Sequence, residues 1–164
     1  MSENSLKLYR YHVWANKRIF DHLKGLPESV LTKEIESVFP TVSKVIEHMY
    51  RVDVNWLNVM KGKSYEEIKT IADERVKEIE HKSVADYEES FLQLSNEYEA
   101  FFETQTDLEK TIVTEHPSFG TFNYKLADLV LHVVNHGTYH RGNITAMLWQ
   151  LGQKGIPTDY AFYI

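Results

Sequence analysis

A chain of 164 residues is long enough to bury the core of one ordinary domain without covalent staples. Its 43% hydrophobic and 13% aromatic content excludes a disordered tract, and the absence of cysteine excludes disulfides and thiolate ligands, leaving nitrogen and oxygen to hold any metal. A net charge of −6 gives no footprint for nucleic acid, and no stretch approaches the roughly 20 apolar residues of a membrane span.

The first five residues carry Glu3 and lack the basic-then-apolar order of a secretory leader, so the expected location is the cytoplasm. A first amphipathic helix is expected from about Asn4 to Lys24, where Gly25 and Pro27 stop it. Leu6, Tyr9, Val13, Phe20 and Leu23 form its seam, with Leu8, Ala15 and Ile19 on the adjoining stripe. Asn16 interrupts that seam, which reads as a register device rather than a partner for the site. A second helix follows Pro40, with Thr41 or Ser43 as its cap, carries Val45, His48, Met49, Val52, Trp56, Val59 and Met60 at helical spacing, and ends at Gly62.

Residues 63–82 are polar and read as one exposed short helix with connections. A third helix opens at Ser83, with Asp86 three residues on, close to a capping box. Tyr87, Phe91, Leu94, Tyr98 and Phe101 then alternate four and three apart, a bundle seam. Two extended pieces around Pro117 and Gly120 read as a loop or small hairpin. The fourth helix is expected from about Tyr124 to Leu151, capped by Asn123 or Thr121 and terminated by Gly152. The fold class that follows is all-α: one domain over 1–164, a four-helix bundle with a short loop or hairpin between its third and fourth helices.

Histidines 132, 136 and 140 recur every four residues along the fourth helix, which stacks neighbours one turn apart. Eight histidines placed at random would give on the order of 0.4 such pairs, so position matters more than count. His136 and His140 take slots in the seam Leu129, Val133, Ile144, Met147, Leu151, where the periodicity wants apolar side chains. His48 does the same on the second helix. Buried imidazoles need partners for both nitrogens, at a cost of about 1–3 kcal/mol if one is left bare. A shared metal ion satisfies one nitrogen on each ring; core or pocket histidines without metal are the other reading, and the pattern leaves both open. His132 lies about 40° round the helix from His136 and about 80° from His140, so three ligands from one helix would be strained. Elsewhere, His12 and His22 fall on the secondary stripe of the first helix, and His12 could reach the bundle end near the site. His81 and His116 sit in polar connections and read as solvated.

Trp14, Ala15 and Asn16, His48 within Val45–Met49, the run from His136 to Gly142, and the tail Gly155–Tyr160 together resemble the DinB-like family of metal-binding helical bundles, over essentially the whole chain. That resemblance implies a four-helix bundle whose His48, His136 and His140 bind a divalent metal such as zinc or nickel, commonly as a homodimer, with His132 outside the ligand set. One departure is Asn143, where a glutamine is more usual after Arg141 and Gly142; the shorter amide alters any contact made there.

Three histidines with a free coordination position are a site of the open type. Some relatives in the wider superfamily resemble thiol S-transferases that use low-molecular-weight thiols, so the expected activity is transfer of such a thiol to a small electrophilic substrate. Metal-assisted hydrolysis is the alternative within enzymes, but it wants a carboxylate base. Glu47 is expected to face outward and Asp128 to be distant. A non-catalytic metal-binding stress protein is the reading from another class. Arg141 is expected to pair with an acid on a neighbouring helix, or else with an anionic cosubstrate, and Tyr139 to serve packing.

Overall fold

The computed structural model describes residues 2–164, with side chains from residue 4 onward. Met1, part of the leader reading, lies outside the described residues. The elements in order are α1 (Ser2–Lys24), α2 (Ser29–Thr32), α3 (Val42–Met60), α4 (Tyr65–Ile79), α5 (Val84–Glu103), the strands β1 (Thr111–His116) and β2 (Gly120–Lys125), α6 (Leu126–Gln150) and a 3₁₀ turn at Tyr160–Phe162. Helix dominates, as the all-α expectation requires, and the bundle is formed by α1, α3, α5 and α6. In it α1 packs on α5 and α6, α3 packs on the same two, and α4 covers the outside of α3. No helix among the described residues is long and apolar enough to cross a membrane.

The helix starts follow local chemistry where the caps are side chains. Thr41 accepts the Lys44 amide at the head of α3, and Ser83 with Asp86 closes a reciprocal capping box on α5. The head of α6 is built differently. Neither Thr121 nor Asn123 caps it, because both are in β2, which pairs antiparallel with β1 and runs straight into the helix. The carbonyls of Lys110 and Leu108 instead accept from the Leu126 and Ala127 amides, at 3.0 and 2.8 Å, so main chain does the work of a cap. At its other end Gly152 adopts φ +74° and Gln153 donates back to the Leu148 carbonyl, the left-handed stop that only glycine takes cheaply.

The stretch 63–82 corrects the exposed reading. Its helix α4 buries Ile68, Ala72, Val76 and Ile79 in the main core, a four-residue stripe between charged flanks. A capping box of Ser64 and Glu67 starts it. Past α6 the tail crosses back over α1: Tyr11 donates to the Thr158 carbonyl, and Tyr160 and Tyr163 pack around Tyr11 and Trp14. This tail and α6 hold α1 from two sides.

Candidate metal centre

His48 stands in the middle of α3, half-buried, and faces α6 across the bundle. His136 and His140 meet it one helical turn apart, the first half-buried and the second buried. The ring centroids of His48 are 5.1 Å from His136 and 4.6 Å from His140, and the latter two are 4.3 Å apart. One nitrogen from each ring can be chosen so that all three lie within 4.8 Å of one another. Phe39, from the loop before α3, covers the rings of His48 and His140. Among the described residues no carboxylate joins this group.

Burial decides the protonation of these rings. Desolvation, reinforced by the neighbouring histidines, pulls His136 down from the ordinary 6.5 to about 3. Desolvation also lowers His48, with Arg51 adding to it, and lowers His140, with His48 adding to it. Neutral imidazole is the form that binds metals.

The tautomers are partly set as well. His140 Nδ1 donates to Asn143 Oδ1 at 3.0 Å, which leaves its Nε2 bare and free to donate a lone pair. His48 Nε2 and His136 Nε2 face each other at 3.2 Å. Two Nε2 atoms bound to one tetrahedral zinc at about 2.0–2.1 Å would be about 3.3 Å apart. The donor set and this spacing fit a divalent ion. His136 Nδ1 is buried and has no partner among the described residues, so this ring lacks the outer hydrogen bond that most metal-bound histidines have.

A sequence model of the DinB family matches residues 1–164. The chain belongs to the DinB family. It is 43% identical over 164 residues to the protein DinB of Bacillus subtilis (strain 168), an alignment that takes in all of this chain and 95% of that protein.

Around the histidine cluster of this DinB-family chain, His132, Asp128 and His81 lie as the sequence suggested, while Tyr139 and Glu47 do not. His132 is exposed and packs against Trp56 with centroids 4.6 Å apart, stacked 6.3 Å from His136, a neighbour of the group but outside it. Tyr139 is 62% exposed, so it is not a packing residue; its ring meets the edge of His140 at 5.0 Å. Glu47 is buried rather than outward, accepting from Tyr87 at 3.0 Å and from Lys44 at 2.7 Å. The reason is that α3 is enclosed by α4 and α5 as well as α6, so a residue 100° from His48 still meets protein. Asp128 is exposed at the head of α6. His22 bonds the Lys154 carbonyl; His81 is exposed at φ +60°; His116 ends β1, its ring against Tyr65 and Phe119.

The largest surprise lies deeper between the helices. His12 is fully buried, and its Nε2 meets Asp53 Oδ2 at 3.0 Å. Arg141, only 1% exposed, reaches His12 Nδ1 at 3.3 Å, Asn16 Oδ1 at 2.9 Å and Thr138 Oγ1 at 2.9 Å. It therefore pairs with no acid directly; Asp53 is joined to it through His12, and Tyr11 stacks on the guanidinium at 5.5 Å. Asn16 is a working member of this network and not merely a register device, with Nδ2 3.0 Å from His12 Nε2. Gly137 makes room for it: a Cβ there would stand 2.3–2.4 Å from the His12 ring. The signal available in the sequence was the pairing of Gly137 with Arg141 one turn later, but only the packing of α1 on α6 reveals what each accommodates.

Proposed function

We propose that His48, His136 and His140 hold a divalent metal ion, zinc or nickel, and that the protein is a metal-dependent enzyme of the thiol S-transferase type acting on small electrophiles. The observation that carries the metal reading is the convergence of three neutral imidazoles from two helices, one with its bare nitrogen fixed by Asn143. Membership of the DinB family supports it. A divalent ion there would supply Lewis acidity, enough to activate a thiol or a water near neutral pH.

Three protein ligands leave a coordination position for a small molecule, the arrangement of catalytic rather than structural sites. Phe39 shields His48 and His140 from water on one side, which strengthens electrostatic interactions at the site. The cluster holds no carboxylate among the described residues, and Glu47 is committed to Tyr87 and Lys44. Transfer needs no such base if the nucleophile is a cosubstrate thiol, and the chain itself has no cysteine to supply one. A cytoplasmic homodimer working on a small molecule, without nucleic acid, completes the proposal; Leu131 and Trp149 leave apolar surface exposed on α6 for a second copy.

The test is metal analysis of untagged protein purified without chelator, beside a His136→Ala, His140→Ala double variant. About one equivalent of zinc or nickel, lost in the variant, supports the site and justifies assaying thiols with electrophilic acceptors. Protein that neither carries nor takes up either metal at micromolar levels sinks the proposal. If metal removal abolishes turnover with a small drop in melting temperature, the site is catalytic; a large drop with no activity to lose marks a stabilising ion instead.

A further inference from the structure

We propose a second ligand site in the cavity between α1, α5 and the middle of α3, built to take a small, mainly apolar amine. The cavity measures about 420 Å³, within the range of small-molecule pockets, and none of the three clustered histidines lines it. Its walls are apolar: Val13 and Phe20 from α1, Phe91 and Leu94 from α5. Such walls favour an organic guest over a chain of waters.

At its inner end lie His12 and Asp53. Asp53 is 3% exposed, and its two carboxyl oxygens are unequally served. Oδ2 accepts from His12, while Oδ1 is buried with no partner among the described residues. A bare acceptor in such surroundings bears an uncompensated desolvation cost, and a guest N–H removes it. Charge points the same way. The lining includes the carboxyl groups of Asp53, Glu88 and Glu89 against the single lysine Lys17, which is already held by Asp21 at 2.7 Å; Glu88 is paired with Lys24 from outside the lining, so the excess negative charge is that of Asp53 and Glu89. A negative lining with apolar walls concentrates cations. Leu92, 56% exposed, and Lys17 mark the mouth, so a guest can enter between α1 and α5. An alkylammonium group at Asp53 with its hydrocarbon part toward Phe20 and Phe91 meets every one of these features.

The test is titration of the purified protein with 2-phenylethylamine, 2-phenylethanol and 3-phenylpropanoate, followed by calorimetry and by amide chemical shifts. The amine is expected to bind at least about tenfold tighter than the alcohol, with the carboxylate weakest, and to shift resonances of α1 and α5. Asp53→Asn should erase the preference for the amine. Because that variant also disturbs His12, Leu92→Lys at the exposed rim provides an arm safe for folding. It should weaken the amine by about tenfold and leave the alcohol unchanged. A His136→Ala, His140→Ala protein should bind the amine as the parent does, which separates this site from the histidine cluster. Equal affinity for amine and alcohol overturns the amine assignment; no binding by any of the three, or shifts confined to other helices, overturns the site.

Discussion

Two polar clusters are buried in this bundle, and they differ in how densely their members are bonded to one another. In the group of His12, Asn16, Asp53 and Arg141, partners come from three helices: the arginine has three bonds, and both ring nitrogens of His12 are used. In the group of His48, His136 and His140, two nitrogens merely face each other, one is held by Asn143, and His136 Nδ1 is bare. A network cross-bonded between helices fixes a structure even though Asp53 Oδ1 and Arg141 Nε stay bare; a sparsely bonded group of neutral lone pairs is ready for a ligand. The arginine cluster should therefore matter most to folding, and the histidine cluster most to binding.

The strongest effect should come from Arg141→Met. It leaves the His12 and Asn16 acceptors without their donor, and stability should fall by about 3–5 kcal/mol in urea denaturation, metal or no metal. A loss under about 1 kcal/mol would show that the network is dispensable. Next comes Gly137→Ala, whose methyl overlaps the His12 ring and should cost about 1–3 kcal/mol. Adding His12→Ala to it should restore part of that loss in a double-mutant cycle; strict additivity would refute the contact.

Asn143→Ala frees the His140 ring and should weaken metal affinity about 10–100-fold in a competition titration, with unfolding of the metal-free protein little changed. His48→Leu should change metal-free stability least, by under about 1 kcal/mol, while abolishing metal uptake. The pH dependence of the metal-free protein sharpens this last case. His48, His136 and His140 titrate lower when folded than their ordinary 6.5, His136 at about 3, so below 6.5 the unfolded chain binds more protons. Their contribution is complete above that value and is lost as pH falls from 6.5 toward 3. The slope should flatten in His48→Leu, and an unchanged slope would assign it to other groups.

How much of this was legible beforehand depends on the range of each interaction. Caps at Thr41 and Ser83 were readable because cap and capped amide lie three residues apart. The head of α6 was not, because its amides are taken by carbonyls about 16–19 residues upstream, at Lys110 and Leu108. The histidine cluster showed through as a breach of apolar periodicity on two helices. Arg141 gave no such signal, since its partners His12 and Asn16 sit more than 120 residues away and follow only from the packing of α1 on α6. Glu47 misled because a face at right angles to the seam is outward only on a helix with one covered side, and α3 is covered on several. The buried stripe of α4 was hidden among charged residues, with Ala72 as one of its four members.

The stretch from His136 to Arg141, little more than one turn, is shared by both clusters: His136 and His140 look toward α3, while Gly137 and Arg141 look toward α1. Neither half of that turn can drift independently of the other. A protein engineer wishing to transplant the three histidines into another scaffold would therefore have to carry along His12 and a glycine-lined seat for it, or rebuild the helix crossing from nothing.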